Sequence, residues 1–156
     1  LNNKQVKHSI VIAGDNNDKR FKKYIDKLIK KIGNSQNIIF TGELNENEKT
    51  SFFNSIDLLV LPSVNSFEAF GIVQLEAMLS GTPVLVSNLK GVRIPVKYTK
   101  NGYIFKKNNV DEMVSYIIKI KENKNFLDKH KIKTNCLKFF NQKNFKDKYS
   151  SIFNIF

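Results

Sequence analysis

Apolar residues along this chain fall into short unbroken runs, separated by segments in which they recur every three or four positions. The first run, HSIVIAGD, is rich in β-branched residues and ends at Gly14, which predicts a fully buried strand. In the segment that follows, DKRFKKYIDKLIKKIG, Phe21, Ile25, Leu28, Ile29 and Ile32 share one helical face. Asp18 stands in the N-cap position and Gly33 just past the end, so a helix is expected there. NIIFTG, DLLVLPS, GTPVLVSN and NGYIF repeat the strand pattern, the first ending at Gly42 and the second closed by Pro62. NENEKTSFFNSI, residues 71–80 and VDEMVSYIIKIKEN repeat the helical one. Over residues 126–156 Phe and Ile recur at mixed helical spacing among many Lys, which predicts two helices wrapped on the sheet.

Strand and helix thus alternate strictly, and each strand is a continuous apolar run rather than an alternation of apolar and polar. That combination predicts an α/β fold: a doubly wound, Rossmann-like parallel sheet with helices on both faces. Sheets of this kind bind ligands beyond the carboxyl ends of their strands. The loops at those ends are the ones at Gly14, at Gly42, over residues 62–70 and over residues 87–93. With 156 residues and no internal repeat, residues 1–156 are expected to form one domain.

Composition narrows the function by exclusion. A hydrophobic content of 41% belongs to a globular chain, and no apolar run approaches the roughly eighteen residues of a membrane helix. The N-terminus has no signal-peptide pattern, and the single Cys136 suits a reducing compartment, so a cytoplasmic location is expected. Cys136 reads as a small core or surface residue rather than a nucleophile. One Cys and two distant His, His8 and His130, do not make a zinc site, and no metal is expected. The net charge of +12 comes almost wholly from Lys, since Arg20 and Arg93 are the only arginines. Without interleaved aromatic and basic motifs this argues against nucleic acid, and leaves general surface bias or peripheral attraction to an anionic membrane. No Lys or Arg occurs over residues 50–89.

Two glutamates lie inside that uncharged-to-acidic window. Glu76 sits in a helix where Ile72, Val73, Leu75, Ala77, Met78 and Leu79 are its neighbours, and only Gln74 is also polar. A carboxylate there either faces solvent and a distant Lys or is held by donors such as a sugar's paired hydroxyls; the pattern leaves both open. Glu68 lies in the loop at a strand's carboxyl end, where an ordinary exposed acid is the default. Between them, a helix start bearing Gly71 lets the amides of Phe70, Gly71, Ile72 and Val73 approach an anion. Two acids flanking an amide cradle suit a ligand with hydroxyls at both ends and phosphates between, the layout of a nucleotide-sugar.

The segment DLLVLPSVNSFEAFGIVQLEAMLSGTPVLVSN resembles the retaining, GT-B-fold glycosyltransferases that carry the E-x7-E signature. Pro62, Ser63, Glu68, Phe70, Gly71, Glu76, Ala77, Met78, Gly81, Pro83 and Val84 fall at that family's spacing. HSIVIAGD, NIIFTGEL, NGYIF with VDEMVSYI, and NFKDKYSSIF resemble further elements of its donor-binding half. The resemblance implies that Glu68 contacts the donor sugar near the reacting centre and that Glu76 holds the ribose hydroxyls; the sequence leaves Glu68 open as nucleophile or charge stabiliser, and the family's same-face mechanism favours stabiliser. It implies donor contacts from Phe70, Gly71, Ile72 and Val73, nucleotide contacts at Gly14 and Gly42, and Leu44 near the base. The implied reaction moves a sugar from a UDP- or GDP-type donor to a glycan or lipid-linked acceptor, with retention, no cofactor and no obligatory metal.

Two departures accompany the likeness. The family's donor half opens with one more strand and helix, carrying an Arg and a Lys for the diphosphate, and is preceded by an acceptor-binding domain. The chain is therefore expected to be one GT-B half lacking its first strand and helix, with an incomplete site or a rearranged sheet, and inactive alone. In NLKGVRIPVKYTKNG, where the family has two glycines and a glutamate near the donor, Lys90, Gly91 and Arg93 stand instead. Arg93 is open to two readings, a phosphate contact or a surface position. A competing function is a non-catalytic module on the same fold, binding membranes through its basic exterior.

Overall fold

The computed structural model describes residues 7–15, 19–32, 37–123, 126 and 128–141. The chain forms two compact units, Leu1–Lys49 and Thr50–Phe156. In the first, β1 (Ile10–Ala13) and β2 (Ile38–Gly42) pair in parallel through the crossover helix α1 (Lys19–Ile32). Ile10 lies beside Ile38 and Ile12 beside Phe40, and an irregularity at Ile12 and Ala13 sets Ala13 opposite Gly42. The Gly14 amide then donates to the Gly42 carbonyl at 2.8 Å, continuing the pairing past the strand ends.

These two strands are not buried as their apolar runs predict. Ile10, Ile39 and Phe40 are exposed, and α1 half-buries Ile25 and Ile29 while leaving Phe21, Tyr24 and Leu28 exposed. A two-stranded sheet with a single crossover helix has too little partner surface to cover both of its faces. The expected N-cap Asp18 and the stop at Gly33 lie outside the described residues.

The helix α2 (Glu46–Ser55) follows, opened by a reciprocal cap. Asn45 Oδ1 accepts from the Glu48 amide at 3.0 Å, and Glu48 Oε2 accepts from the Asn45 amide at 2.8 Å. The second unit then builds a three-stranded parallel sheet in the order β3 (Leu59–Leu61), β4 (Val84–Ser87), β5 (Gly102–Phe105). Between the strands run α3 (Ile72–Leu79) and α4 (Ile94–Thr99), and after them α5 (Val110–Glu122) and α6 (Lys129–Phe139). β4 is the central strand and is buried throughout, as a continuous apolar run requires.

Because successive side chains of a strand point to opposite faces, β4 feeds two cores. Val84 and Val86 join Ala77 and Met78 of α3, Val96 of α4, and Ile132 and Cys136 of α6. Leu85 joins Phe105 and, from α5, Ile120. Helices therefore cover both faces of the sheet, the doubly wound arrangement expected. Buried polar groups tie the layers: Thr82 Oγ1 donates to the Phe53 carbonyl at 2.6 Å, and Asn101 Nδ2 to the Ile132 carbonyl at 2.7 Å. Cys136 is wholly buried, and desolvation pushes its thiol up to about 11, which makes it a core residue with almost no nucleophilic thiolate near neutral pH.

Two elements differ from expectation. The pattern assigns no helix between β4 and β5, yet α4 forms, with Pro95 in its first turn, where a missing amide hydrogen costs nothing. Of the two helices expected in the tail, α6 is present, capped by Asp128 Oδ1 on the Lys131 amide at 3.0 Å. The remainder of the tail lies outside the described residues.

Candidate functional site

β3 ends at Leu61, and the loop that leaves it carries Pro62, Ser63, Asn65 and Glu68 to the start of α3. Gly71 makes the turn into the helix with φ of 74°, a left-handed conformation that disfavours any side chain. Space is lacking as well: a Cβ there would lie 2.6 Å from Leu61 Cδ2 and 3.0 Å from Gln74 Nε2. Gly71, the N-cap residue, offers no side-chain acceptor to the first amides of α3.

Glu68 is half-buried, and its Oε1 accepts from the Gly71 amide at 2.8 Å. The expected amide cradle and the expected acid are thus in direct contact, with one amide already held by the carboxylate. Phe70 turns its ring away to make an edge contact with Phe140, centroids 6.3 Å apart, so its part in a site falls to its backbone. Ile72 is exposed and Val73 half-buried on the first turn. Glu76 is half-buried one turn further along.

Gln74 was not among the expected site residues, although it is one of only two polar residues in that helix. Its side chain is wholly buried, and Nε2 donates to the Phe70 carbonyl at 2.7 Å and to the Val92 carbonyl at 2.9 Å. It therefore clamps the loop before α3 to the loop after β4. The clamp is tight: a Cβ at Gly91 would fall 1.6 Å from the Ala69 carbonyl oxygen, so the two backbones touch where Gly91 has no side chain. From the second loop, Arg93 Nη1 donates to Asn88 Oδ1 at 2.8 Å. Arg93 is half-buried, and its bond to Asn88 lies at the surface.

Among the described residues, the buried side-chain polar atoms without a partner are Gln74 Oε1, Ser87 Oγ and Arg93 Nε. They lie in the first turn of α3, at the carboxyl end of β4 and in the loop beyond it. Buried polar groups are nearly always paired, so Gln74 and Arg93 leave hydrogen-bonding capacity unused on either side of the clamp, while Ser87, two residues after Leu85, shares that residue's face of β4. Gly14, Gly42 and Leu44 belong to the first unit, at and just past the carboxyl ends of β1 and β2, with Gly42 also left-handed at φ of 74°. Among the described residues no three His, Cys, Asp or Glu side chains gather as metal ligands, and no helix is long and apolar enough to cross a membrane.

Residues 1–136 match the profile of a family described as glycosyl transferases group 1. Over 100 residues the chain is 37% identical to the uncharacterized glycosyltransferase MJ1607 of Methanocaldococcus jannaschii, a stretch covering 64% of this chain and 24% of that protein. The chain thus spans about a quarter of that relative. Among solved structures, Anabaena HepE in complex with UDP-glucose superimposes with a TM-score of 0.79 at 19% identity, over 95% of this chain and 41% of HepE. The C-terminal domain of the group 1 family protein LpcC from Francisella tularensis superimposes with a TM-score of 0.64 at 20% identity, over 86% of both chains. At these identities the likeness is one of fold.

Proposed function

Because the chain belongs to the glycosyl transferases group 1 family, we propose that it is the donor-binding part of a retaining glycosyltransferase that uses a nucleotide-diphosphate sugar. The observation that carries this reading is the placement of Glu68 and Glu76 on either side of the start of α3, whose Gly71 amide Glu68 engages. The complex of the structurally similar HepE with UDP-glucose supports the donor class. In this reading the ribose hydroxyls bind Glu76, and the diphosphate lies at the amides of Ile72 and Val73.

As the bond between the anomeric carbon and phosphate oxygen breaks, negative charge grows on the departing diphosphate and positive charge on the sugar. The helix dipole and its free amides stabilise the first, and the Glu68 carboxylate stabilises the second. An acceptor hydroxyl forms the new bond on the face the phosphate leaves, its proton passing to the departing phosphate oxygen, so configuration is retained. No obligatory metal takes part. In this reading the acceptor is a glycan or a lipid-linked sugar.

Calorimetry of the intact protein with UDP- and GDP-sugars tests the assignment. Glu76→Gln keeps the side-chain shape but removes a charge-assisted acceptor, and is expected to weaken donor binding by about 10- to 100-fold, or about 1.5–3 kcal/mol. Unchanged affinity would remove Glu76 from the ribose, and binding of no nucleotide-sugar by the wild-type protein would remove the assignment itself.

A second property is favoured by α1. Its exposed Phe21, Tyr24 and Leu28 lie among the basic residues Arg20, Lys22, Lys23, Lys27, Lys30 and Lys31. A helix of this composition suits peripheral contact with an anionic membrane, each basic residue near the surface contributing about 1 kcal/mol. Flotation of the intact protein with phosphatidylglycerol vesicles is expected to succeed at low salt and fall off as salt rises. Equal flotation with neutral vesicles would exclude it.

A further inference from the structure

We propose that Arg93 binds a phosphate oxyanion of the substrates, on the donor's diphosphate or on a phosphorylated acceptor; the inference rests on the donor-binding reading above. Two of the 26 basic residues are arginine, and one of them stands beyond the carboxyl end of β4, beside the loop that carries Glu68. That position is fixed from two sides. Gln74 holds the adjoining Val92 carbonyl, and Gly91 lies against the Ala69 backbone.

Arg93 is half-buried, and the one polar partner the described residues give its guanidinium is the neutral, exposed Asn88 side chain, on Nη1. No carboxylate among the described residues neutralises it. Nη1 is occupied, while Nε is buried and has no acceptor. Nε belongs to the side edge of the guanidinium, whose two parallel N–H bonds match two oxygens of a phosphate. A partly desolvated cation held in place without a counter-charge is a site awaiting an anion. The sequence from residue 50 to residue 89 contains no Lys or Arg, so the loops leaving β3 and β4 carry no cation before the exposed Lys90 and Arg93.

The test titrates the intact wild-type protein, Arg93→Lys and Arg93→Met with UDP, GDP, their nucleosides and inorganic pyrophosphate, with thermal melts confirming that each variant is folded. Arg93→Met is expected to weaken pyrophosphate, and whichever nucleoside diphosphate the wild type binds, by at least tenfold. The nucleoside affinity should stay within about twofold, and Arg93→Lys, which keeps charge without the fork, should recover part of the loss. Arg93-dependent binding of pyrophosphate, with diphosphate nucleotides bound independently of Arg93, assigns the anion to a phosphorylated acceptor. Arg93-dependent pyrophosphate binding with neither UDP nor GDP bound overturns the nucleotide-sugar reading and leaves the anion site standing. Folded Arg93→Met that binds pyrophosphate and both nucleotides as the wild type does, or a wild type that binds none of them, overturns the proposal.

Discussion

Glu68→Gln is expected to lower kcat of the intact protein by about 10²- to 10³-fold, the size of effect seen when one electrostatic stabiliser is removed from a transition state. Glu68 accepts a hydrogen bond from the Gly71 amide, and a glutamine oxygen can still accept it. Glutamine therefore keeps the turn into α3 and removes only the negative charge. Glu68→Ala removes both. If the charge acts on the sugar, the two variants lose similar activity, and donor KM changes far less than kcat in Glu68→Gln. If Glu68 instead serves to shape the loop, Glu68→Gln stays close to wild type and only Glu68→Ala is impaired. Steady-state kinetics on the pair decides between these, and near-wild-type turnover by Glu68→Gln would sink its role as charge stabiliser.

Gly91→Ala is expected to be the most damaging small substitution in the second unit. The added methyl would sit 1.6 Å from the Ala69 carbonyl oxygen and 2.8 Å from its carbonyl carbon. Both are backbone atoms, so no rotamer change relieves the overlap, and one loop must move. Moving it breaks the Gln74 bond to Val92 and leaves a buried amide hydrogen without an acceptor. Overpacking and the lost bond together give a destabilisation of at least about 3 kcal/mol. For a chain of this size that lowers Tm by about 6–12 °C. The exposed neighbour gives the control: Lys90→Ala should shift stability by less than about 0.5 kcal/mol. Donor affinity of Gly91→Ala should fall too, because the clamped loops carry Glu68 and Arg93. A melting temperature equal to that of wild type would show that the two backbones do not meet as described.

Both predictions depend on contacts of different legibility. The interval between Glu68 and Glu76, the glycine at the start of α3 and the apolar surroundings of Glu76 are local features, and they identified the candidate site before any coordinates. So did the burial of β4, because an unbroken run of Val and Leu in a strand has to find apolar partners on both faces. The same inference failed for β1 and β2, whose runs are equally apolar: burial depends on how much partner surface the neighbouring elements provide. α4 was missed because Pro95 reads as a breaker until its place in the first helical turn is seen. Gln74 carried a local signal, a lone amide in an apolar helix, but nothing local names its second partner eighteen residues away.

The sequence by itself thus determined the alternation of elements, the two-faced core around β4 and the pair of acids at a strand's carboxyl end, since each follows from periodicity within a few residues. Only the tertiary structure decided that Glu68 holds the Gly71 amide, that Gln74 and Gly91 lock two loops together, and that Arg93 is half-buried without a counter-charge among the described residues. Those facts arise where chain segments distant in sequence approach closely enough for hydrogen bonds and backbone contacts to form, and spacing along one segment carries no record of the other.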